Sequence, residues 1–111
     1  MKFTETTVTT QKEILKRKLG GELFEEIKLD DSAFTAGVCK AGTPIAKDGK
    51  IDNKASSPAP VGILLSDVYD SNPNGTILKA FGVVNEKNAN SNAGINIEDA
   101  VKTALPLIVF E

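Results

Sequence analysis

The chain contains no histidine and no tryptophan, and Cys39 and Tyr69 are the only residues of their kinds. Histidine is the commonest general base near neutral pH and the commonest zinc ligand, so its absence removes both. Cys39 has no partner for an internal disulfide and no imidazole to activate it as a nucleophile. It reads as a small buried hydrophobe after Val38. Charge of neither sign dominates: 13 basic and 15 acidic residues give a formal net charge of −2. Lys and Arg are not gathered on one face, which argues against nucleic acid as a partner. No apolar run approaches the length of a membrane span, so no membrane partner is expected. "MKFTETTVTT" lacks the apolar run and cleavage site of a secretory signal, and synthesis in the cytoplasm is expected.

What is present suits one small domain. The 111 residues are 41% hydrophobic, too apolar for a disordered chain and close to the usual size of a single core. Residues 1–9 alternate loosely, with Phe3 and Val8 among threonines, and suit an extended arm. Thr10 with Glu13 makes a capping box and Gly20 a stop, which predicts a helix over Gln11 to Leu19. Its apolar stripe, Ile14, Leu15 and Leu19, is too narrow for a central core helix. "ELFEEIKLDD" suits a short helix or a short strand. "AFTAGVCKAGTPIAKDGKI" reads as two short strands broken at Gly42-Thr43-Pro44 and turned at Asp48-Gly49. Residues 52–60 are a polar loop.

Val61 to Val68 is an apolar run of strand length, and "TILKAFGVVN" supplies a further strand with β-branched Thr76, Ile77, Val83 and Val84. "EKNANSNAG" reads as an asparagine-rich loop. Asn96 then caps a short helix over 97–104, stopped by Pro106, and "PLIVFE" is a last strand. The expectation is a mainly β (α+β) domain, a small sheet or barrel-like structure. A short N-terminal helix and a second one before the last strand complete it. Residues 1–32 form the arm and helix, and 33–111 the compact part. Val61, Ile63, Leu65, Leu78, Val83, Ile108 and Phe110 are expected in the core.

No spacing is specific for catalysis. Asp70, Asn72, Asn74 and Gly75 open a calcium loop of the EF-hand type, but its twelfth position, which must supply a bidentate carboxylate, is Phe81. Pro73 with Asn74-Gly75 is turn chemistry, so "DSNPNG" reads as a hairpin loop. Glu98 and Asp99 are adjacent and point apart on a helix, where they favour its N-terminus. Asp48 and Asp52 flank Gly49 but are too few for a metal site. No catalytic, cofactor-binding or metal-binding residue is assigned, and no enzyme is expected.

From about Ala36 to Phe110 the features follow a recognisable order. A "KAGTPI" strand precedes Gly62-Ile63-Leu64, a hairpin leads to a strand ending at Phe81-Gly82, and Lys102-Thr103-Ala104 precedes the terminal strand. This order resembles the small head decoration proteins of tailed phages, the lambda-type family, and the base domains of phage head fibres. The capped helix at 11–19 departs from the polar arm with which the lambda-type proteins begin. The resemblance implies a non-enzymatic structural protein that binds the outside of the expanded capsid and stabilises it. It would be made in the host bacterial cytoplasm and carried on the virion. Its expected partners are the major capsid protein and further copies of itself as a homotrimer. Phe3, Thr4, Thr6, Val8 and Thr10 would supply capsid or subunit contacts by adding an edge to a partner's sheet. The alternative is a small ligand-binding β-module using the loops at 46–60 and 85–94.

Overall fold

The computed structural model describes residues 14–17 and 22–111, and these form a mainly β, α+β domain. The strands are β1 (Leu15–Arg17), β2 (Leu23–Lys28), β3 (Val38–Cys39), β4 (Pro44–Ala46), β5 (Pro60–Leu64), β6 (Val68–Tyr69), β7 (Asn74–Ala80), β8 (Gly82–Val84) and β9 (Ile108–Phe110). The helices are α1 (Glu86–Ala93) and α2 (Asp99–Ala104), and Asp31–Ala33 make one 3-10 turn. A four-stranded antiparallel sheet runs in the order β2-β7-β5-β4. On one side of it lies a three-stranded sheet, β1-β8-β9, and on the other the pair β3-β6.

The four-stranded sheet is central because its two inner strands are apolar on both faces. Successive strand residues point to opposite sides. Ile63 pairs with Leu78, and both enter a cluster with Val84, Ala89, Val101 and Ile108. The next pair, Leu64 and Ile77, enters the other cluster with Leu29, Cys39, Ile45 and Val68. This is why Val61 to Leu64 shows no alternation. A run apolar at consecutive positions is a strand buried on both faces. Of the expected core residues, Ile63, Leu78, Val83 and Ile108 are buried. Leu65, Phe110 and Val61 are partly buried and packed against the two clusters.

Several elements differ from expectation. Within the stretch expected to be a helix over 11–19, Leu15–Arg17 are a strand, paired antiparallel with β8. The rest of that stretch, and the arm, lie outside the described residues. Ile14 is only 2% exposed and belongs to the first cluster, so its side chain is a core contribution and not part of a marginal stripe. The open choice over 22–31 falls to strand: β2 pairs along its whole length with β7. Val61 to Val68 is not one strand but two, because β6 turns aside to pair with β3. The hairpin partners around "DSNPNG" are therefore β5 and β7. "TILKAFGVVN" also divides, into β7 and β8, at Phe81, whose φ of 62° bends the chain from one sheet into the next.

The asparagine-rich "EKNANSNA" is helix α1, not a loop. Asparagine is a poor helix former because its side chain competes for nearby backbone groups. Here that capacity is used at the ends and outside the helix. Asn85 caps the N-terminus by accepting from the Asn88 N–H, and Gly94 closes the C-terminus at φ 73°. Asn90 accepts from the Ile97 N–H, and Asn92 donates to the Ala41 carbonyl and to Asp67. Ala89 packs fully buried on the same helix. The second helix starts at Asp99 with Glu98, not Asn96, as its N-cap. Asn53 fixes that entry, donating to the Asn96 carbonyl and accepting from the Glu98 N–H.

Candidate functional site

The corner at Phe81 gathers the most unusual surface. Phe81 is 53% exposed while in the left-handed region that non-glycine residues seldom occupy. Its N–H donates to the Leu107 carbonyl at 2.7 Å. The neighbouring Ala80 faces Leu23 across β7 and β2, and Val83, next along β8, faces Val109 across β9. Leu23, Phe24, Leu107 and Val109 are all exposed. Exposed apolar residues are thus placed around the Phe81 corner, with Leu23 opposite Ala80 and Leu107 bonded to the Phe81 N–H. The change of sheet uses this backbone conformation, but glycine would adopt it without strain, so the exposed phenyl side chain is what the bend leaves unexplained.

β2 borders this corner through Leu23 and is an edge strand of its sheet. Leu29 N–H donates inward to the Pro73 carbonyl. In an antiparallel pair such bonds alternate along the strand, so Ile27 and Glu25 also face β7. The N–H and C=O groups of Phe24 and Glu26 point away from β7, whereas the Lys28 carbonyl lies under Gly49. Glu25 forms an exposed ion pair with Lys79 at 2.7 Å, which contributes little stability.

The other chemical features are structural where their partners are visible. In "DSNPNG" the Asp70 N–H donates to the Gly37 carbonyl, and Asn72 Oδ1 accepts from Asn74 Nδ2. Two of the would-be ligands, Asn72 and Asn74, thus bond to each other. Among the described residues no three His, Cys, Asp or Glu side chains stand together as a metal-binding group. Glu98 and Asp99 separate as expected, Glu98 at the cap and Asp99 in the first turn of α2. Lys102 bonds Glu86 at 2.9 Å, tying α2 to α1, and this hydrogen bond holds its ammonium above the usual lysine range. Burial pushes the Cys39 thiol up, against a weaker opposing hydrogen bond from Thr43, so it stays protonated and unreactive near neutral pH.

Phe3, Thr4, Thr6, Val8 and Thr10 lie outside the described residues. The loops assigned to the alternative reading do approach each other. Ile51 from the first and Ala93 from the second line one cavity of about 300 Å³, with Cys39, Lys40 and Thr43. The Phe81 corner was not expected as a site. Its signal in the sequence was faint: a Phe between Ala80 and Gly82 inside a run that otherwise reads as continuous strand. No family model, no curated protein and no solved structure matches the chain.

Proposed function

We propose that this protein is a non-enzymatic structural component of a phage or prophage head, a decoration protein or head-fibre base. It binds the outside of the expanded shell through the major capsid protein, assembles as a homotrimer and is carried on the virion. The observation that carries the reading is the exposed Phe81, an aromatic where glycine would serve the bend, at a corner with exposed Leu23 and Leu107 and bordered by the edge strand β2. Exposed apolar surface of this kind marks association, and an open edge can take a further strand from a partner. The resemblance in the order of features from Ala36 to Phe110 supports the phage setting. The test is co-sedimentation with expanded shells lacking this protein, with light scattering of the free protein. Saturable binding and a trimer mass are expected, whereas a monomer that stays in the supernatant would overturn the reading.

A second reading has one observation in its favour, the cavity that Ile51 and Ala93 share. It makes the protein a small ligand-binding module. A thermal-shift screen of small molecules, followed by Ala93→Leu to fill the cavity, tests it; no stabilising compound would end it.

A further inference from the structure

The cavity shared by Ile51 and Ala93 offers little to a hydrogen-bonding occupant. Its buried lining residues are Ala33, Cys39 and Thr43, and the Thr43 hydroxyl is spent on the Lys40 carbonyl at 2.7 Å. The Cys39 thiol is a weak donor and packs as a small hydrophobe. Ile51, 44% exposed, and the half-buried Ile95 are its larger apolar walls. At about 300 Å³ the space has room for a phenyl ring, since a dry apolar cavity of about 150 Å³ takes up benzene. Lys40 adds a half-exposed cation to the lining, and a cation favours the face of an aromatic ring over an aliphatic side chain. Its contact with Asp67, 3.8 Å long and open to water, holds it weakly.

The chain carries an aromatic occupant elsewhere on its surface. Phe81 follows Ala80, the last residue of β7, which pairs with Leu23 of β2. Thr43 immediately precedes β4, and Ile51 bridges Ile45 within that strand. In the order β2-β7-β5-β4, the exposed ring and the cavity therefore lie toward opposite edges of the central sheet. A two-fold pair apposes one patch with itself and would not bring these two surfaces together. A head-to-tail contact does, and repeated contacts of that kind close into a ring where the rotation allows. We propose that Phe81 of one copy seats in the Ile51–Ala93 cavity of the next, as the repeating contact of the homotrimer. The inference rests on the assembly reading above and names the surface that receives Phe81.

The experiment pairs two variants that each lack one half of the contact. Phe81→Gly keeps the cavity and loses the ring, whereas Ala93→Leu keeps the ring and fills the cavity. Isotope-labelled Phe81→Gly is titrated with unlabelled Ala93→Leu and followed by amide-resolved NMR, with the unlabelled double variant as control. Thermal melts check that each chain is folded. Ile51→Lys, a change at an exposed side chain, replaces Ala93→Leu if that variant does not fold. Saturable shifts centred on Ile51, Ala93 and Ile95 are expected with Ala93→Leu, and none with the double variant. A charge set in the apolar wall by Ile51→Lys in the labelled chain should weaken binding at least about tenfold. Light scattering of the wild type separates this contact from the reading beneath it. An oligomeric wild type whose variants give no shifts overturns the contact and leaves the trimer standing. A monomeric wild type with no shifts in the mixture overturns both. Shifts confined to other residues, or equal shifts with the double variant, also overturn the contact.

Discussion

Among the described residues, three other than glycine hold a positive φ: Ala36 at 55°, Ser57 at 52° and Phe81 at 62°. Their surroundings give them different meanings. Ala36 and Gly37 are the central residues of a two-residue turn in which Thr35 and Val38 bond to each other in both directions. Turns of that shape need positive φ at both centres, and asparagine tolerates it better than alanine. Ala36→Asn should therefore raise stability by about 0.5–1 kcal/mol, read as a higher denaturant midpoint at unchanged slope. An unchanged or lower midpoint would show that the turn carries no such strain. At Phe81 the same conformation is held by a large exposed side chain. Phe81→Gly removes the strain and about half a phenyl ring's worth of exposed surface. The expected result is a domain at least as stable by melting, with shell binding or self-association lost. A large fall in melting temperature would instead make Phe81 part of the packing. Gly49 is the opposite case. At φ 85° an added Cβ would collide with the Lys28 carbonyl, so there the backbone, not a side chain, demands the conformation.

At the scale of elements, β1 shows how packing overrides local signals. Thr10, Glu13 and Gly20 spell a capped helix, yet Leu15–Arg17 complete a sheet, and the Ile14 carbonyl accepts from the Asn85 N–H at 2.7 Å. Ile14→Ala should cost about 2–4 kcal/mol, because it empties a volume shared with Val84, Val101 and Leu105. A change under about 0.5 kcal/mol, the usual size at a surface position, would return Ile14 to the exterior. The loop at Asp70 gives a second element-scale prediction. Asn72 and Asn74 bond to each other and the twelfth position is Phe81, so excess calcium should leave the melting temperature unchanged. A genuine site filled at 100 times its Kd would add about 2.7 kcal/mol, which a melt would show. What was legible beforehand follows from these cases. β5, β7 and β9 were visible because β-branched and apolar residues crowd there, and α2 because Pro106 stops it. α1 was hidden because its Asn92 bonds to Ala41 and Asp67, distant in sequence, and its Asn90 to Ile97 beyond the helix. The break at Phe81 was hidden for a like reason, since the Leu107 carbonyl that anchors it comes from beyond both helices. Of the candidate site, Leu23 and Leu107 carried no local mark, because their exposure is a property of the assembled seam.

For the whole molecule, the first described residues bear on how much of the N-terminal segment the core needs. Ile14 and β1 belong to the first cluster and the three-stranded sheet, so the fold depends on the chain at least as far back as residue 14. Residues 1–9 carry few hydrophobes beyond Phe3 and Val8, and a threonine-rich segment gains most by bonding to a partner's sheet edge. We therefore expect two truncations to part company. Deleting residues 1–9 should leave the melting temperature near that of the full chain but weaken co-sedimentation with undecorated shells. Deleting residues 1–17 removes Ile14 and the pairing of Leu15 with Val84, exposing one edge of β8, and should unfold the domain or lower its stability by at least about 2–4 kcal/mol. The paired measurement separates the alternatives. If the shorter deletion also unfolds the protein, the arm is part of the core. If it melts normally and binds shells as well as the full chain, attachment belongs to the Phe81 corner and the edge of β2, and Phe81→Gly in the truncated background should then abolish it.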